Sequence, residues 1–278
     1  MKIVLNGISG RHPAAKADGP AALRDLSLIV QTGEQVAVIG PSGAGKTTLL
    51  HLLACALKPA AGSLQLDEID PWTLSQSALQ AQRGRMFLAP QVPPLPPRQR
   101  VVTAVLAGRL PNESLWASLR SLFYPVDMAL AQAALAEFDL SEKLFERVDR
   151  LSGGERQRVG LARALVAPAE LWLIDEPLSA LDPTRANQAM VTLVAGARER
   201  GVTLVATLHQ VDMALAHFSR IVGLRDGELA FDLPAEQVTP ERLAKLYESY
   251  ENELRGEAAV AAVDIAPAPP QPAVMHCR

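Results

Sequence analysis

The stretch Val36-Ala-Val-Ile-Gly-Pro-Ser-Gly-Ala-Gly-Lys-Thr-Thr48 decides the fold of this chain. Four apolar residues, Val36 to Ile39, run straight into a glycine-rich turn of the form GxxxxGK[ST]. That order predicts strand, phosphate loop and helix, and so an α/β protein. Successive backbone N–H groups of Gly40, Pro41, Ser42, Gly43, Ala44 and Gly45, proline excepted, make a concave anion site with the helix start behind it. Gly43 and Gly45 allow close approach of the backbone. Lys46 is placed to reach the β- and γ-phosphates of a nucleotide, Thr47 to offer its hydroxyl to Mg2+, and Thr48 completes the candidate positions. A tight turn into an ordinary helix is the bland alternative, and the strand that feeds the turn argues against it.

A second apolar run, Leu171-Trp-Leu-Ile174, ends in Asp175-Glu176-Pro177. A buried strand that delivers a carboxylate to its end suits a magnesium-binding acid, here Asp175. Glu176, one residue on, alternates to the other side of an extended chain, where it is placed to polarise a water against the γ-phosphate. Two adjacent acids in a solvated loop would read the same way were it not for the strand before them.

The third element is Leu151-Ser-Gly-Gly-Glu-Arg-Gln-Arg158. Ser152 with Glu155 reads as a helix N-cap and capping box. Two glycines just inside that helix, Gly153 and Gly154, cost roughly 1 kcal/mol each against alanine. They make sense where something, such as a phosphate, must approach the helix end closely. With the phosphate loop, this segment resembles the signature sequence of the ABC transporter ATPases. The resemblance runs in order over residues 1 to about 250. It implies a phosphate-loop NTPase with a RecA-like core, an antiparallel β subdomain and an inserted α-helical subdomain at about 92–165.

The same resemblance assigns further positions. Gln91 matches the Q-loop glutamine, a contact of Mg2+ and of the attacking water. Asp182, in Ser179-Ala-Leu-Asp182, matches the D-loop; taken alone it caps the helix that opens at Pro183. His209 matches the switch histidine at the γ-phosphate. Ser152, Gly153 and Gly154 are implied to meet the nucleotide of a second, head-to-tail copy, so the working unit is a homodimer that sandwiches ATP and Mg2+. The aromatic that stacks on adenine in this family falls near His12, in a register blurred by the inserted Pro13–Pro20 stretch.

Composition agrees with a cytoplasmic ATPase. A net charge of −3 argues against a nucleic-acid partner, and two cysteines, Cys55 and Cys277, give no disulfide framework. The apolar part of Met-Lys-Ile-Val-Leu-Asn is too short for a signal peptide, and no apolar run reaches the ~18 residues of a membrane span. The expected location is peripheral, at the cytoplasmic face of the inner membrane, through integral-membrane permease subunits and, indirectly, a periplasmic solute-binding protein. Residues 251–278 are Ala/Pro-rich and read as a disordered tail.

Some stretches are more particular. Thr207-Leu-His-Gln-Val-Asp-Met-Ala-Leu215, Arg220-Ile-Val-Gly-Leu-Arg-Asp-Gly-Glu-Leu-Ala-Phe-Asp232, Val105–Leu110 followed by Trp116–Phe123, and Arg242–Tyr247 are similar to the ATPases of bacterial phosphonate importers. The proline-rich segment after Gln91, Ala104 where an acid is usual, and the long tail depart from them. The resemblance leaves phosphate, phosphite or another small solute open as cargo. A soluble ABC ATPase of another class is the remaining alternative, against which the one compact cassette speaks.

Overall fold

The computed structural model describes residues 1–11, 21–113, 116, 118 and 127–248. His12, Phe123 and the Ala/Pro-rich tail lie outside the described residues.

Two sheets organise the chain. The larger has six strands in the order β5-β6-β7-β3-β8-β9. These are β3 (Gln35–Ile39), β5 (Met86–Ala89), β6 (Leu171–Asp175), β7 (Thr203–Thr207), β8 (Arg220–Arg225) and β9 (Glu228–Pro234). All neighbours are parallel except β8 and β9, which are antiparallel. The last pair is joined by Asp226-Gly227, both at positive φ (52° and 82°), the conformation a two-residue hairpin turn requires. The smaller sheet is antiparallel, in the order β2-β1-β4, from β1 (Ile3–Gly10), β2 (Leu23–Val30) and β4 (Ala61–Leu66).

Strands β3, β6 and β7 are buried along their whole length, as parallel strands covered on both faces must be. Their side chains divide by the period of two. Ala37, Ile39, Trp172, Ile174, Leu204 and Ala206 enter one core cluster. Val36, Val38, Leu171, Leu173 and Val205 enter the other. The second cluster also holds helix α1 (Lys46–Leu53), through Leu49, Leu50, Leu52 and Leu53, and the inward faces of β1, β2 and β4. Continuing the alternation, Asp175 and Thr207 fall on the α1 face of the sheet.

The other face carries α6 (Pro183–Glu199) and the helices α3 (Val101–Leu106), α4 (Met128–Ala136) and α5 (Gly153–Val166), which pack through residues such as Val105, Leu135 and Val159. Among the described residues there are also the shorter helices α2 (Gln76–Gly84), α7 (Val211–His217) and α8 (Pro240–Leu246). Helix starts follow the local chemistry. Ser75, Ser152, Asp182 and Thr239 each accept a backbone N–H three residues on, and α6 and α8 open with proline. Trp116 is 82% exposed. No helix of the described residues is long and apolar enough to cross a membrane.

Candidate functional site

The site lies at the carboxyl ends of three adjacent strands, β3, β7 and β6, which is where a parallel sheet presents its ligand crevice. The loop Gly40–Gly45 leaves β3 and turns into α1. Gly40, Gly43 and Gly45 all have positive φ. A Cβ at Gly40 would stand 2.1 Å from the Leu224 carbonyl oxygen, and one at Gly45 2.4 Å from that of Ala22. These positions therefore accept no side chain. Lys46 is only 5% exposed, and its ammonium donates to the carbonyls of Gly40 (2.7 Å) and Pro41 (3.2 Å). The lysine thus folds back along its own loop and holds the curve that the N–H groups line.

Thr47 and Asp175 meet across the chain: the Thr47 hydroxyl donates to Asp175 Oδ2 at 3.0 Å. Asp175 is 6% exposed, and a buried carboxylate needs donors. Its second oxygen takes one from Thr207 Oγ1 at 2.6 Å. Thr207 is the register partner of Asp175 in the β6–β7 ladder, so the sheet itself sets that bond. The Thr207 oxygen in turn accepts the Glu176 N–H at 3.1 Å. Among the described residues no cluster of three or more His, Cys, Asp or Glu could hold a metal unaided. A hydroxyl and one carboxylate fit Mg2+, which keeps waters and takes phosphate oxygens alongside one or two carboxylates.

Glu176 departs from the extended geometry that alternation predicts. Its φ is +45°, so the chain turns sharply as it leaves β6. The turn brings its carboxylate between two other predicted residues. Gln91 Nε2 donates to Oε2 at 2.7 Å, and His209 Nε2 to Oε1 at 2.5 Å. Gln91 therefore sits on the Glu176 carboxylate in this structure.

Ser152, Gly153, Gly154 and Asp182 gather around the turn after Glu176. Ser152 caps α5 in a complete capping box with Glu155, whose carboxyl is held below its usual range chiefly by the Ser152 N–H. The two glycines differ. A Cβ at Gly154 would come within 2.9 Å of the Ala180 carbonyl oxygen, whereas one at Gly153 meets nothing nearer than 3.8 Å. What approaches Gly154 is this chain's own backbone; Gly153 is the one left open to an outside group. Asp182 caps α6 through the Arg185 N–H.

Two buried residues of the site were not singled out in the sequence, Thr207 and Gln157. A polar residue directly after the apolar run Leu204–Ala206 is the signal for the first. Gln157 carries only a weak one, a glutamine amid the apolar spacing of α5.

Residues 23–179 match the family described as ABC transporter. The chain is 71% identical over 278 residues to phosphonates import ATP-binding protein PhnC 2 of Albidiferax ferrireducens, covering 100% of both chains. It is 51% identical over 276 residues to phosphonates import ATP-binding protein PhnC 1 of Pseudomonas aeruginosa, covering 99% of this chain and 98% of the relative. Its fold is similar to that of the dimeric ATP-binding cassette MJ0796 in a post-hydrolysis state bound to ADP and Pi. That likeness has a TM-score of 0.72 and 28% identity, and covers 84% of this chain and 98% of the other.

Proposed function

Because the chain belongs to the ABC transporter ATP-binding family, we propose that it energises a phosphonate importer by hydrolysing ATP at the carboxylate held between Gln91 and His209. The observation that carries hydrolysis is the pair of carboxylates at the end of β6, one facing the phosphate loop and one clamped at its rim. The cargo rests on likeness along the whole chain to phosphonate import ATP-binding proteins.

The residues divide the work. N–H groups of Gly43, Ala44, Gly45 and Lys46 receive the phosphates, and Lys46 exchanges its bonds to the Gly40 and Pro41 carbonyls for phosphate oxygens. Thr47 and Asp175 would hold Mg2+, which when bound offsets phosphate charge. Glu176 orients a water for attack and accepts its proton. His209 and Gln91, released from Glu176, turn their N–H groups to the γ-phosphate and the water. Ser152 and Gly153, at an exposed helix start, are read as receiving the γ-phosphate of a second copy, so two chains enclose two nucleotides. Permease subunits would anchor the dimer at the cytoplasmic face of the inner membrane.

Two experiments test this reading. Deleting the gene should abolish growth on a phosphonate as sole phosphorus source and spare growth on phosphate; normal phosphonate uptake by the deletion strain refutes the cargo. Glu176→Gln should lower the rate at least ~100-fold and leave an ATP-bound dimer on size-exclusion chromatography, which adding Ser152→Arg dissolves. Normal turnover by Glu176→Gln refutes the base, and a monomer with ATP bound refutes the shared site.

A further inference from the structure

Gln157 lies in the second turn of α5 and is 4% exposed. A buried primary amide must find partners for its donors and its acceptor. Gln157 finds them in one short segment. Its Nε2 donates to the Glu176 carbonyl at 3.0 Å and to Ser179 Oγ at 3.3 Å, and its Oε1 accepts the Ala180 N–H at 2.8 Å. One side chain thus fastens both ends of the turn from Glu176 to Ala180 to the start of α5.

Glu176 occupies a left-handed backbone conformation, which costs a non-glycine residue roughly 1–2 kcal/mol and persists only where the surroundings impose it. Its peptide groups are held from both sides: Thr207 takes the N–H and Gln157 the carbonyl. The same turn presses on the first turn of α5, where even a methyl at Gly154 would stand 2.9 Å from the Ala180 carbonyl oxygen.

We propose that Gln157 is a positioning residue that locks the Glu176 turn to the start of α5, so that the base of one nucleotide site and the helix end offered to the other move as one body. The inference rests on the ATPase reading above. It places the link between the two half-sites inside each chain, in three hydrogen bonds to a single amide. Gln157 acts through the Glu176 carbonyl and the Ala180 N–H that it holds.

The test is Gln157→Met, which keeps length and volume and removes all three bonds. The phosphate loop, Thr47 and Asp175 are untouched, so KM for ATP should stay within twofold while kcat falls at least tenfold. In a Glu176→Gln background, Gln157→Met should also shift the ATP-bound dimer toward monomer. A purely structural glutamine would lower the melting temperature and leave kcat per folded molecule unchanged, which overturns the proposal. Should Gln157→Met fail to fold, Gln157→Glu keeps the acceptor for Ala180 and loses both donors; it too should lower kcat at constant KM, and a wild-type kcat overturns the proposal. Glu176→Gln separates the two levels. If it turns over normally, the ATPase reading falls; if it is inactive while Gln157→Met runs at wild-type kcat, only the positioning role falls.

Discussion

Adjacent glycines at the start of α5 should respond to the same substitution in opposite ways. Alanine in place of glycine within a helix gains roughly 0.5–1 kcal/mol by restricting the unfolded chain. At Gly153 the added methyl meets nothing closer than 3.8 Å, so the gain should be kept. At Gly154 it would stand 2.9 Å from the Ala180 oxygen and 3.1 Å from Leu181 Cδ2. The turn must then retreat by about half an ångström, and overpacking of this kind costs ~1–3 kcal/mol. The two variants should differ by about 2 kcal/mol, or roughly 4–8 °C in melting temperature for a domain of this size. Differential scanning fluorimetry of the nucleotide-free proteins reads the difference, and ATPase assays read the function. Gly153→Ala should be the more stable protein and still the poorer enzyme, since its methyl fills the space left open to a partner's phosphate. If Gly154→Ala melts as high as Gly153→Ala, the close contact with Ala180 imposes no constraint. If Gly153→Ala hydrolyses ATP at the wild-type rate, that open side is no phosphate site.

Lys46→Ala should abolish hydrolysis and the several-degree rise in melting temperature that saturating ATP gives the wild type; a retained ATP shift would contradict the role of the loop. Thr207→Val deprives buried Asp175 of one donor, so it should cost ~1–3 kcal/mol on chemical denaturation and slow turnover, whereas Thr207→Ser should behave as wild type. Arg85 bridges Asp67 and Glu170, and its hydrogen bonds to Glu170 are the main cause of that carboxyl's depressed pKa. A depressed carboxyl stabilises the fold above its unfolded pKa of about 4.3 and loses that contribution as pH falls through the folded value. Arg85→Ala should therefore lower stability by ~1 kcal/mol or less at pH 7, these groups being partly exposed, and the deficit should shrink in acid unfolding curves as the pH falls below the ordinary carboxylate range.

The parts of the site legible in the sequence are those whose chemistry fixes spacing along the chain. Gly40 to Thr47 is one continuous device, and Leu171–Asp175 announces both a buried strand and the acid at its end. The rest depends on neighbours brought together by strand order. Thr207 matters because β7 lies beside β6 in register, which nothing local in Thr203–Thr207 reveals. Gln157 matters because the turn after Glu176 folds onto α5, a contact set by the left-handed conformation at Glu176 that extended alternation does not foresee. Gly154 illustrates the same limit: two glycines beside a helix cap suggest an approaching group, but only the fold shows that at one of them the group is the chain's own Ala180 carbonyl.

The position of β3 in its sheet has a consequence for synthesis. Its neighbours are β7 and β8, which leave the ribosome roughly 165–185 residues after it, or about 10–40 s at ordinary elongation rates. During that interval the apolar strand that carries the phosphate loop has no ladder on either edge, and the Thr47–Asp175 and Asp175–Thr207 bonds cannot yet form. Nucleotide can therefore act as a late ligand of the nascent chain, selecting molecules in which the central strand has been enclosed. The hazard runs the other way for unfinished chains, since Gln35–Ile39 is then an open, apolar β edge suited to pairing with another copy.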